Sequence, residues 1–138
     1  MWWIYAILSA FFAAATAIFA KVGITNINSN LATAIRTIVI LIVIWSIVLF
    51  RSEAKGIAVI SKQNLIFLVI SGITTGLSWI FYFKALQMAD VSKVAAVDKL
   101  SLALTIILSV IFLGESLNFK TILAALLIIS GTVILVLK

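Results

Sequence analysis

Cysteine, histidine and proline are all missing from this chain, and acidic residues number only four. Without cysteine there is no disulfide and no thiolate chemistry, and without histidine the usual zinc and haem ligand sets cannot be assembled. No metal or cofactor is expected. Without proline, nothing obliges a long helix to kink or stop. Charge of either sign is also scarce: 10% of the 138 residues are charged and 65% are hydrophobic. A soluble domain of this size needs far more polar surface than that. The bilayer must therefore be the solvent, and every polar residue inside it requires a reason.

The apolar residues fall into five runs, at about 2–23, 31–50, 64–86, 91–113 and 118–137. Each approaches the roughly 20 residues that cross about 30 Å of hydrocarbon as a helix. They are too long, and alternate too little, for barrel strands of ~10 residues. The predicted fold is all-α: a polytopic membrane protein of five uninterrupted transmembrane helices, forming one domain over residues 1–138. The breaks are short and polar, at 25–30, 51–64, 87–90 and 114–118. The apolar patch Gly56–Ile60 within the second break is too short to cross and is placed at the interface. No basic residue precedes the first run, so it reads as a retained span anchored by Trp2, Trp3 and Tyr5 at the headgroup level. So little chain lies outside the spans that an extramembrane enzyme domain has no room.

The net charge of +6 is dispersed along the sequence. A nucleic-acid partner would require a basic stripe on a soluble face; scattered lysines suit anionic lipid headgroups and topology control instead. With five spans, Arg51, Lys55, Lys62 and Lys120 share one side of the membrane and Lys21, Lys84, Lys93 and Lys138 the other. The sides balance, apart from Arg36 and Lys99 set deeper. Either the chain inserts both ways and pairs as an antiparallel homodimer, or those two residues bring the C-terminus to the cytoplasm.

Four polar residues of the fourth run, Asp98, Ser101, Thr105 and Ser109, fall within roughly 80° of one another on an ideal helix. A carboxylate at that depth costs about 2.5–3.5 kcal/mol on insertion scales, so the face should meet protein or water. Asp98, Ser101 and Thr105 are candidates for the wall of a substrate cavity. The competing reading is a packing seam whose hydroxyls bond their own backbone. Lys99 should point about 100° away from Asp98, which leaves Arg36 or Lys84 as the expected counter-charges, in a structural pair or a gate. In the third run, Thr75, Ser78 and Tyr82 lie on a polar stripe and complete the candidate cavity. Gly72 and Gly76 form a GxxxG pattern that allows close helix approach, and Gly131 in the last run reads the same way. Trp79 and Tyr82 could stack on an organic substrate; the competing reading of Trp79 and Phe83 is bulky packing or lipid contact. No nucleophile–base pair or phosphate loop is visible, so no enzyme is expected.

Three segments carry a resemblance: Ser78-Trp79-Ile80-Phe81-Tyr82-Phe83-Lys84-Ala85-Leu86, Phe112-Leu113-Gly114-Glu115-Ser116-Leu117, and Ala124-Ala125-Leu126-Leu127-Ile128-Ile129-Ser130-Gly131. With the Leu31-Ala-Thr-Ala-Ile-Arg36 start of the second run, they resemble the EamA domain of the drug/metabolite transporter superfamily, span for span. The resemblance implies a five-helix repeat that moves small metabolites, often exporting amino acids or related compounds from the cell across a prokaryotic inner membrane. Such proteins usually carry two repeats in inverted orientation; one repeat here implies a second copy as partner. The related small multidrug resistance proteins use a Glu in the first helix, and the first span here has no acid. An accessory membrane scaffold and a lipid-carrier flippase are the competing functions.

Overall fold

A computed structural model describes residues 1–137. It is helical, with no strand among the described residues: α1 (Trp2–Gly23), α2 (Ser29–Phe50), a 3-10 helix (Glu53–Val59), α3 (Lys62–Met88), α4 (Val91–Asp98), α5 (Leu100–Leu113) and α6 (Phe119–Val136). Five helical stretches are long and apolar enough to cross a bilayer, α4 and α5 together making the fourth. The chain is an all-α polytopic membrane protein. At 1.5 Å per residue, the 27 residues of α3 extend about 40 Å, which exceeds the hydrocarbon thickness and carries both polar ends past it.

Helix ends coincide with residues that satisfy orphan backbone groups. The Asn28 side chain accepts from the N–H groups of Asn30 (2.9 Å) and Leu31 (3.4 Å), starting α2. Ser61 does this for α3 through the N–H of Asn64 (3.1 Å). Asn118 accepts from both the N–H and hydroxyl of Thr121 at the start of α6 (2.8 and 3.0 Å). Gly114 ends α5 with φ +68°, a left-handed conformation that glycine adopts without strain; its N–H and that of Glu115 both reach the Ser109 carbonyl. The 3-10 helix Glu53–Val59, which takes in most of the Gly56–Ile60 patch expected at the interface, packs on α2.

One expectation fails. The fourth span is interrupted, and α4 gives way to α5 at Lys99. The Leu102 N–H turns back to the Lys99 carbonyl at 3.0 Å, three residues away instead of four. Neither proline nor glycine lies nearby to explain the break. A side chain enters the helical ladder instead: the Thr132 hydroxyl of α6 donates to the Ala96 carbonyl at 3.0 Å, and the Lys99 N–H approaches that carbonyl at 3.1 Å. Insertion of this kind is a recognised cause of helix breaks.

The chain divides into two compact units. One comprises Met1–Phe19 and the residues from Met88 onward; within it α6 packs against both α4 and α5. Its buried residues are Ala17, Val94, Ala103 and Thr132, small or medium side chains that let helix backbones approach. The other comprises Ala20–Gln87 and buries Ile24, Ser29, Thr33, Phe83 and Leu86.

Candidate functional site

In the first unit, Asp98 is the last residue of α4 and sits at the break, with Ser101 in the first turn of α5 and Thr105 one turn further. The expected geometry of Lys99 is corrected here. Its Nζ lies 3.6 Å from Asp98 Oδ2, because the lysine stem is long enough to fold back around the helix. Asp98 therefore receives a counter-charge from its neighbour, and neutralising it does not require Arg36 or Lys84. The two side chains are 40% and 62% exposed respectively, so the pair is open to a ligand. The Thr105 hydroxyl donates to the Ser101 carbonyl (2.8 Å) and that of Ser109 to Ile106 (3.0 Å). Their protons are committed to their own helix, while their lone pairs remain available as acceptors.

The second unit holds Thr75, Ser78, Tyr82, Arg36 and Lys84. The Thr75 hydroxyl donates to the Ser71 carbonyl at 2.8 Å; Ser78 and Lys84 are exposed and Tyr82 is half-buried. Arg36 has found an aromatic setting. Its guanidinium carbon lies 4.5 Å from the centre of the Trp79 ring and 5.1 Å from that of Phe83. Trp79 and Phe83, one helical turn apart on α3, thus form a shelf for a cation. The sequence reading weighs Trp79 for stacking on a substrate and both as bulk, and contains no contact with Arg36. The usable signal was an aromatic pair at i, i+4 in a span next to one with an embedded arginine.

The glycines behave differently from expectation. A Cβ added at Gly72, Gly76 or Gly131 would meet nothing within 4 Å. The close approach their spacing allows is not used within either unit, and these faces are open there.

A second cluster was missed. Gln87, at the end of α3, donates from Nε2 to the carbonyls of Ile24 (3.2 Å) and Ile27 (2.6 Å), and the Lys21 ammonium donates to the Leu86 carbonyl. These bonds clasp the α1–α2 turn to the end of α3. They border a cleft of about 440 Å³ lined by Lys21, Ile24, Thr25, Asn26, Ile27, Leu86 and Gln87. The sequence signal was a glutamine and a lysine, each at a helix C-terminus, where carbonyls lack partners.

The model of the EamA-like transporter family matches residues 1–137. The chain belongs to the EamA-like transporter family. A Sinorhizobium sp. protein named uncharacterized transporter in cobO 3'region is 46% identical over 134 residues, covering 97% of this chain and 95% of that protein. No solved structure matches. Together with five apolar helices, EamA membership makes this chain an integral membrane protein of a transporter family. A small-molecule substrate and a lipid surround follow from that membership.

Proposed function

We propose that the whole chain acts as one EamA-type repeat, and that two copies form a homodimer that exports a small metabolite by alternating access. The observation that carries this reading is Asp98: a half-exposed carboxylate paired with Lys99 at a helix break within a span. Interrupted helices near the bilayer midplane commonly build transporter binding sites, since the broken ladder and half-helix termini supply polar groups there. Asp98, Ser101 and Thr105 line the substrate path in their unit, and Thr75, Ser78 and Tyr82 contribute polar wall in theirs. Lys99 holds Asp98 until substrate displaces it, which is a gate built from two adjacent side chains. The balanced distribution of lysines between the two sides favours opposite insertion of the two copies, in a bacterial inner membrane. The open glycine faces offer room for the second copy.

The test is flux in liposomes containing the purified protein, against a panel of amino acids and other metabolites, with and without a proton gradient. Wild-type protein should move at least one of them. Asp98→Asn should reduce that flux at least tenfold while reaching the membrane at wild-type yield. Equal flux through both proteins would remove Asp98 from the path.

A further inference from the structure

We infer that Arg36, held by Trp79 and Phe83, is a binding site for an oxyanion: a carboxylate or phosphate group presented to the guanidinium edge. The inference deepens the transport reading and rests on it for its biological meaning, although the site itself stands on its own geometry.

Arg36 is the eighth residue of α2, so its backbone lies about 10 Å along the axis from the start of that helix. At that depth a permanent cation is expensive, and arginine cannot shed its charge by losing a proton. Two aromatic rings within 5.1 Å stabilise the charge and restrict the side chain, yet carbon rings provide no oxygen for its five N–H donors. Among the described residues none of those donors has a hydrogen-bond partner, and no carboxylate pairs with the group. The composition of its unit explains why. Between Ala20 and Gln87 the only acid is Glu53, which is engaged with Arg51 at 3.6 Å. The unit thus fixes a cation in a low-dielectric span and provides no carboxylate to neutralise it.

An arriving oxyanion completes what is missing. The guanidinium edge matches two oxygens of a carboxylate or phosphate, and such charge-assisted, bidentate contacts are the strong ones. The half-buried Trp79 and Tyr82 leave aromatic surface beside the charge for an organic body. The same chemistry is available from a dissolved metabolite and from a lipid phosphate.

The experiment uses the full chain in dodecyl maltoside, in buffer free of phosphate and carboxylate. With Trp2, Trp3 and Trp45 replaced by Phe, Trp79 becomes the sole reporter of its own cation. Phenylacetate and its neutral amide, phenylacetamide, share a body and differ in charge. Phenylacetate should change Trp79 fluorescence saturably and bind at least tenfold tighter than the amide. Arg36→Gln should abolish that preference and Arg36→Lys should retain a weakened one; circular dichroism establishes that both are folded. A second arm transfers the protein to nanodiscs of phosphatidylcholine or phosphatidylglycerol. An Arg36-dependent Trp79 change on transfer that phenylacetate no longer affects assigns the oxyanion to lipid; an unimpeded phenylacetate titration assigns it to a solute. Equal binding of acid and amide, or an anion response unaltered in Arg36→Gln, overturns the inference. So does the absence of any Arg36-dependent response to carboxylate and lipid alike. The two readings separate cleanly. Liposome flux that persists while no Arg36-dependent response to carboxylate or lipid phosphate is found removes the oxyanion site and leaves transport standing. Arg36-dependent binding without flux of any solute does the reverse.

Discussion

Replacing Gln87 by methionine keeps the length of the side chain and deletes both of its donors. In the native protein those donors reach the carbonyls of Ile24 at 3.2 Å and Ile27 at 2.6 Å. The Ile24 carbonyl also accepts from the Ile27 N–H at 3.3 Å, so it loses one of two partners. The Ile27 bond is the shorter of the pair and contributes more. A hydrogen bond contributes about 0.5–1.5 kcal/mol net. Gln87 is exposed, so water replaces part of the loss, and the substitution should cost about 1 kcal/mol in total. That energy belongs to a local opening of the α1–α2 turn, because the clasp joins residues 24–27 to the end of α3 and touches nothing else. One kilocalorie corresponds to roughly a fivefold change in an opening equilibrium. Hydrogen exchange followed by mass spectrometry should show amides in peptides covering residues 24–30 exchanging about fivefold faster in Gln87→Met, with α5 and α6 unchanged. Unaltered exchange in that turn would mean that the two bonds carry no stability. A uniform acceleration along the whole chain would mean that the effect is global, and the clasp argument would fail with it.

Two further substitutions probe the first unit. Thr132→Val removes the hydroxyl shared between the carbonyls of Ala96 (3.0 Å) and Ile128 (2.9 Å), and should lower stability in detergent unfolding by about 0.6–1 kcal/mol, a typical value between membrane helices; Thr132→Ser should restore most of it, and a valine variant as stable as wild type would refute the link. Gly114→Ala meets open space but must adopt φ +68°, so it should cost about 1 kcal/mol through the backbone alone, and Gly114→Asn less; a neutral alanine in the same unfolding assay would contradict the left-handed cap.

The five spans were readable because the bilayer imposes a length and the chain marks its breaks with polar residues. The observed helices begin and end within about two residues of the expected ones, often next to the Asn and Ser side chains that cap them. The break at Lys99 was not readable. Residues 95–100 are Ala-Ala-Val-Asp-Lys-Leu, which propensity alone would continue as helix, and the interruption depends on a threonine 36 positions away from Ala96. The aromatic shelf is similar: nothing local to Trp79 and Phe83 indicates that a cation from another helix will rest on them. Gly72 and Gly76 show the converse, with no neighbour against them within their unit. Their spacing permits close packing, but spacing does not supply the neighbour.

The amino-acid order determined the solvent, the number and length of the spans, the exclusion of thiol and imidazole chemistry, and the depth at which Asp98, Lys99 and Arg36 are placed. These follow from hydrophobicity and helical rise, which act along the chain. Which charge meets which partner was decided only by the tertiary structure. The ladder opens at Ala96 because a distant hydroxyl reaches its carbonyl, and Arg36 rests on two rings because another helix brings them within reach. Such contacts depend on distances between segments far apart in sequence, and local pattern contains no measure of those distances.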